Sequence, residues 1–314
     1  MTAIRIGTCS FADDALVKAW YPKQVRTGEA RLRYYAEHFD TVEIDSTFYR
    51  MQPPETVAKW AERVPDDFVF HIKAFGALTR HPVKLEALPE DVQKWAEANA
   101  RGRVEYLPRD LRAEVFAAFR AMLEPMREAD KLAGILLQMP PFFVFRDRSF
   151  EYLEWAQVQL EGHTLLVEFR HRSWLDDEHR AETLSFLEQH GMTNVIVDAP
   201  RSEAKNLVPT VVALTSPVAY VRMHGRNAKT WNVRGGSAAD RFDYLYGEDE
   251  LREWVDPLRE LSTKAEEAYV VFNTNARSPS PRGEGEIAQG AENAYRLARV
   301  LAQAGVPASP APGS

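Results

Sequence analysis

The sequence predicts an α/β protein of the (β/α)8 barrel class, TIM-barrel-like, with a single parallel closed sheet inside a ring of helices. Three observations lead there. Strand-like segments alternate with helical ones, which argues for a parallel sheet. Eight such strands occur within 314 residues, a combination that favours closure into a barrel. Polar residues gather toward the C-terminal ends of the strands while the starts are apolar, and barrels build their sites at that end. A doubly wound open sheet is the runner-up, but no Gly-x-Gly-x-x-Gly turn follows a strand to support a dinucleotide site.

The first strand spans residues 3–8, and an aromatic loop runs on to Tyr21-Pro22. A helix over 29–38 carries Leu32, Tyr35, Ala36 and Phe39 at helical spacing. The strand from Thr41 then sets Glu43 and Asp45 on one face and Val42 and Ile44 on the other, because residues two apart share a face. Pro53-Pro54-Glu55 opens another helix. Residues 68–73 form a third strand with Val69, His71 and Lys73 on one side. Prolines 82, 89 and 108 punctuate an excursion over 76–112, with a helical piece at 92–98, and a helix over 112–127 closes it.

Residues 132–138 are a nearly continuous apolar run, the mark of a strand covered on both faces, with Gln138 as its polar tip and Pro140-Pro141 as its stop. The strand over 165–170 puts Leu166, Glu168 and Arg170 on one face. A helix over 180–190 precedes a strand ending in Asp198, and the strand over 218–224 has the inward set Tyr220, Arg222 and His224. A helix over 248–261, a strand over 268–273 ending in Asn273, a Pro/Ser/Gly-rich loop and a helix over 287–302 complete one domain over 1–305. The tail, 306–314, has too little apolar surface to fold and is expected to be disordered.

The chain is 45% hydrophobic and 27% charged, an ordinary globular balance. A net charge of -7 disfavours an extended nucleic-acid surface, which would need clustered Lys and Arg. Cys9 is the only cysteine, so neither an internal disulfide nor a cysteine-rich zinc site can form. With no signal-peptide pattern and no apolar run of membrane-spanning length, the expectation is a cytoplasmic protein with no membrane partner.

The ordered segments Val42-Glu43-Ile44-Asp45-Ser46-Thr47-Phe48-Tyr49, Phe70-His71-Ile72-Lys73-Ala74, 167–174, 220–227 and Phe272-Asn273 with Asn293-Ala294 resemble the YecE-like family, domain of unknown function 72. The resemblance covers residues 3–302 and implies a TIM-barrel-like fold; it implies no settled reaction. The chain departs from the family's usual Gly-Thr-Ser-Gly-Trp at Gly7-Thr8-Cys9-Ser10-Phe11, carries Asp45 where Asn is more usual, and has a longer loop after Asn273.

Glu43, Asp45, Glu168 and Asp198 are carboxylates that a barrel would gather at one mouth, where unequal environments could divide acid and base work between them. Lys73, Arg170 and Arg222 converge from different strands and suit an anionic substrate group. The competing reading is that these acids and bases neutralise one another in a buried network. Glu43, Glu168 and His224 are the catalytic candidates, with Asn273, His71 and Gln138 helping to orient the substrate. Tyr49, Trp174 and Trp231 stand at loop starts where a ring could stack on a ligand or pack the rim.

The preferred reading is a hydrolase or lyase acting on a small anionic, phosphorylated or sugar-like metabolite, with no cofactor. A divalent metal held by a histidine with Glu168 and Asp198, in a phosphodiesterase or repair-type activity, is an alternative that no tight ligand spacing supports. A ligand-binding module without turnover is the other.

Overall fold

A computed structural model describes residues 1–202, 204–229, 231, 241–280, 283 and 285–311. The strands are β1 (Ile4–Thr8), β2 (Thr41–Ile44), β3 (Val69–Lys73), β4 (Val83–Lys84), β5 (Arg103–Val104), β6 (Leu132–Gln138), β7 (Leu165–Glu168), β8 (Thr193–Asp198), β9 (Val218–Met223), β10 (Glu267–Phe272), β11 (Arg277–Pro279), β12 (Glu286–Ala288) and β13 (Ala308–Ser309). All eight expected strands are among them. The helices are α1 (Asp14–Ala19), α2 (Gly28–Ala36), α3 (Pro54–Glu62), α4 (Glu90–Gln93), α5 (Arg109–Glu128), α6 (Asp147–Gln159), α7 (Arg180–Gln189), α8 (Glu248–Arg252), α9 (Val255–Lys264) and α10 (Gln289–Gln303).

Nine strands form one parallel sheet in the order β13-β1-β10-β9-β8-β7-β6-β3-β2. The sheet is open and curls into a half-barrel, so the expectation of a closed (β/α)8 barrel is corrected. No ladder joins β1 to β2 among the described residues. The edge of β1 that would meet β2 is occupied in part by β13, with Ile4 opposite Ala308 and Arg5 opposite Ser309. A segment expected to be a disordered tail thus supplies a strand. Strand pairing uses backbone groups, which the tail's lack of apolar side chains does not remove. Pro312, Gly313 and Ser314 lie outside the described residues.

The seam between β1 and β2 is bridged locally. The Tyr35 hydroxyl accepts from the Thr8 backbone N–H at 3.0 Å and lies 3.3 Å from the Thr41 carbonyl, to which it can donate. Ser309 Oγ donates to Asp40 Oδ2 at 2.5 Å. Gly7 allows the two strands to approach: a Cβ at this position would stand 2.4 Å from the Thr41 carbonyl oxygen.

Strand parity divides the core. Ile4, Ile6, Val42, Ile44, Phe70, Ile72, Ile135, Val167, Ile196 and Val221 pack outward among the helices. Leu136, Leu166, Val195, Val197, Tyr220, Tyr269 and Val271 fill the concave side. The outward layer explains the helices. In α5, Val115, Phe116, Phe119, Met122, Leu123 and Met126 recur at helical spacing and are buried.

Several elements differ from expectation. α1 lies in what reads as a loop: six residues are too few for periodicity to show, but the Asp13 carboxylate caps it by accepting from Leu16 N–H at 2.9 Å. The expected helix at 92–98 is only the single turn of α4, and the pattern over 248–261 breaks into α8 and α9. α6 was not foreseen. No helix among the described residues is long and apolar enough to cross a membrane.

Candidate functional site

At the centre of the concave side, Glu43 from β2, Glu168 from β7 and Arg222 from β9 meet, all three fully buried. Arg222 Nε donates to Glu43 Oε2 at 3.0 Å and Nη2 donates to Glu43 Oε1 at 2.7 Å. Its Nη1 donates to Glu168 Oε2. The Tyr220 hydroxyl donates to Glu43 Oε2 at 2.8 Å, and Gln138 Nε2 to Glu168 Oε1 at 2.8 Å. Cys9 Sγ lies 3.5 Å from Arg222 Nη2, and burial pushes its thiol well above the usual range, so it packs as a neutral group.

His224 completes this layer. Asn273 Nδ2 lies 3.0 Å from His224 Nδ1 and Glu168 Oε1 lies 3.1 Å from Nε2. The amide N–H has to donate to Nδ1, which assigns the ring proton to Nε2 and makes it a donor to Glu168. Burial pushes the imidazole pKa down to about 4 and Arg222 adds to that, against the opposing pull of Glu168. The ring is therefore neutral near pH 7. Burial would raise the pKa of Glu168, but Arg222, His224 and Arg170 outweigh it and hold the carboxylate well below its usual range. These neighbours favour the ionised form of Glu168.

Above this sealed layer stand Asp45, Lys73 and Arg170, each half-buried. Asp45 follows the end of β2 at the start of the 3-10 turn Ser46–Phe48. Burial and Glu43 raise its pKa to about 6, although Lys73 pulls it down. Lys73 closes β3, and the Phe48 ring lies 4.5 Å from its Nζ. Burial and Arg222 lower the Lys73 pKa, partly offset by Glu43, Asp45 and Glu168. Arg170 Nη1 is 3.6 Å from Glu168 Oε1, and its guanidinium lies 5.5 Å from the centre of the Trp231 ring. Trp231 is buried, and Phe242 stacks on His224 at 5.4 Å, so aromatic side chains cover this flank.

Four expected site residues sit elsewhere or play another part. Asp198 does not join the other acids. In β8, Val195 and Val197 take the concave side, so Asp198 points outward, where Arg226 holds it through Nε at 3.1 Å and Tyr246 donates to it at 2.5 Å. There it borders a separate cleft of about 730 Å³ with Arg172, Arg226 and Trp254. The metal set of a histidine with Glu168 and Asp198 is consequently not assembled, and no cluster of three or more potential ligands occurs among the described residues. Trp174 is fully buried behind the sheet, stacked on Phe169 at 4.2 Å, with its indole N–H donated to the Phe143 carbonyl at 2.6 Å. His71 lies between Tyr220 and Tyr269, with ring centroids at 4.7 and 4.4 Å, away from solvent. Tyr49 is exposed and lines a cleft beside Phe48.

Phe48, Phe242 and Asn273's pairing with His224 complete the picture. Phe48 sits in the turn after β2, where strand parity no longer applies, so its approach to Lys73 carries no sequence signal. The loop after Asn273 forms the antiparallel pair β11 and β12, with Arg277 opposite Ala288.

The sequence matches the family described as "Protein of unknown function DUF72" over residues 5–310. It is 31% identical to the UPF0759 protein YunF of Bacillus subtilis over 87% of this chain and 89% of that one. It is 29% identical to the UPF0759 protein YecE of Escherichia coli K12 over 68% of this chain and 73% of that one. Crystal structures of DUF72 family proteins share the fold. One from Thermotoga maritima superposes with a TM-score of 0.72 at 30% identity, covering 96% of this chain and 99% of that one. One from Enterococcus faecalis gives 0.75 at 26% identity and 95% coverage of both. The chain belongs to the DUF72 family.

Proposed function

We propose that the chain is an enzyme performing general acid/base chemistry, of hydrolase or lyase type, on a small anionic metabolite at the polar end of the half-barrel. One observation carries the reading: Asp45, Lys73 and Arg170 keep solvent access directly above Glu43, Glu168, Arg222 and His224, which satisfy one another. The buried set resembles a scaffold more than a reacting group, because Arg222 has both carboxylates in its grip. The half-buried set offers what an acid/base enzyme needs. Asp45, with a pKa of about 6, exchanges a proton near neutral pH. Arg170 offers a guanidinium fork to a carboxylate or phosphate, and Lys73 a point charge.

The reading shifts the proton-transfer role from Glu43 and Glu168 to Asp45. Native mass spectrometry of gently purified protein, followed by a screen of phosphorylated and carboxylated metabolites, tests it. Wild-type protein should bind an anion that Arg170→Ala loses, and Asp45→Asn should keep the anion while losing turnover. A screen in which no anion binds, or in which Asp45→Asn turns over normally, overturns it.

A further inference from the structure

We propose that Lys73 is a nucleophilic amine that forms an imine with an aldehyde or ketone bearing an anionic group. This rests on the reading of the half-barrel mouth as a site for small anionic metabolites and names the substrate class more closely.

Lys73 differs from Lys18, Lys84, Lys94, Lys131 and Lys264 in having its amine inside the fold with neither a carboxylate nor a carbonyl in hydrogen-bond contact. Lys18, Lys84, Lys94 and Lys264 each pair with an acid at 2.6–3.2 Å. Lys131, also buried, donates its amine to the Pro65 carbonyl at 2.5 Å. Lys73 Nζ has no hydrogen-bond or ion-pair partner among the described residues, although Glu43 and Glu168 in the layer beneath act on it electrostatically. Those two acids are committed to Arg222. A half-buried ammonium with no acceptor in hydrogen-bond contact is costly, the Phe48 face offsets only part of that, and a cationic neighbour adds to the cost; the balance favours the neutral, nucleophilic amine. Burial and Arg222 act on Lys73 in this sense.

The surroundings supply the remaining parts. The chemistry needs a proton for the departing oxygen, and Asp45 stands near enough to influence Lys73 electrostatically without pairing with it. The Lys73 nitrogen lone pair attacks the carbonyl carbon, and the C=O π pair moves to oxygen, which takes a proton from the Asp45 carboxyl. The positively charged nitrogen of the adduct returns a proton to the Asp45 carboxylate, and the carbinolamine then loses that oxygen as water with this same proton as the C–N bond becomes C=N. Carbonyl compound, amine and one net proton give the protonated imine and water, with no redox partner required. A cleft of about 660 Å³ lined by Phe48, Tyr49, Arg50, Lys84, Glu86 and Arg103 adjoins the ring that covers Lys73, while Arg170 at the same mouth offers the charge for the anionic group.

The test is reductive trapping on the full chain. Wild-type protein is incubated at pH 7 with glyoxylate, or with uncharged propanal, and sodium cyanoborohydride, and alkylation at each lysine is followed by peptide mass spectrometry. Lys73 should be modified faster than exposed Lys23 and Lys59, because a larger share of its amine is neutral at the same pH. Lys73→Arg should lose the fast adduct with unchanged circular dichroism. Arg170→Ala should slow glyoxylate and leave propanal unaffected. Trapping at Lys73 no faster than at Lys23 overturns the imine, and the acid/base reading is judged separately by anion binding and the Asp45→Asn turnover. Fast trapping with no glyoxylate preference over propanal supports the amine's reactivity and overturns the anionic substrate class.

Discussion

Arg222 grips Glu43 at two points, Nε to Oε2 at 3.0 Å and Nη2 to Oε1 at 2.7 Å, although four strands lie between theirs in the sheet order. The contact spans the concave side and exists because the sheet curls. It also ties the two halves of the sheet together through a fully buried charge, which Glu168 shares. Removing one member of such a network strands the others without solvation. Arg222→Met should therefore lower stability by about 3–5 kcal/mol at neutral pH. Urea unfolding checks this; a loss below about 1 kcal/mol, the size of an exposed pair, would show that the network contributes little.

The seam between β1 and β2 should be as sensitive as the ladders elsewhere, though no ladder closes it. Gly7→Ala would set a methyl 2.4 Å from the Thr41 carbonyl oxygen, a backbone atom that moves only if the strand moves. A loss of about 1–3 kcal/mol is expected from such overpacking. Tyr35→Phe removes the hydroxyl that accepts from Thr8 and reaches Thr41, leaving buried backbone groups short of a partner, with an expected cost of about 1–3 kcal/mol. If thermal unfolding of both variants matches wild type, the seam carries no stability.

Much of this was legible because strand parity is a strict rule. Alternation placed Glu43, Glu168, Tyr220, Arg222 and His224 on one face, and they meet there. The same rule misleads when its phase is taken from the last polar residue: Asp198 ends β8 with an apolar pair on the concave side, so it turns outward. Closure was not legible, since it depends on which backbone reaches the edge of β1. That edge is met by a tail of Pro, Ala and Ser with no apolar pattern to betray it. Phe48's cover over Lys73 and the stacking of Phe242 on His224 arise from loops, where periodicity says nothing.

Asp45 and Lys73 should titrate as neighbours. Burial lifts the Asp45 carboxyl to about 6 and the charge of Lys73 restrains that rise. Lys73→Met should accordingly move the Asp45 pKa further upward, read as the carboxyl carbon shift in NMR against Asp45→Asn. The same carboxyl should give the wild-type pH–rate profile an inflection near 6. An unchanged Asp45 titration in Lys73→Met would separate the two groups and remove the acid/base pairing at the mouth.

His71 makes the fold sensitive to acid. Its imidazole lies buried between two tyrosine rings, and its Nε2 finds no hydrogen-bond partner among the described residues. Burial, with a contribution from Arg5, pushes the pKa from 6.5 down to about 3. Between those values the unfolded chain takes up a proton that the folded chain refuses. The stability from burying a neutral ring is thus fully present above pH 6.5 and drains away as pH falls toward 3. At pH 4 the loss from this one group is on the order of 3 kcal/mol. His71→Phe keeps a ring between Tyr220 and Tyr269 and abolishes the titration. Urea midpoints measured at pH 7 and pH 4 should fall less in the variant than in wild type, and because the other titrating groups are common to both proteins, the difference belongs to His71. Equal falls would mean that the ring is protonated or solvated in the folded chain, which its burial does not allow.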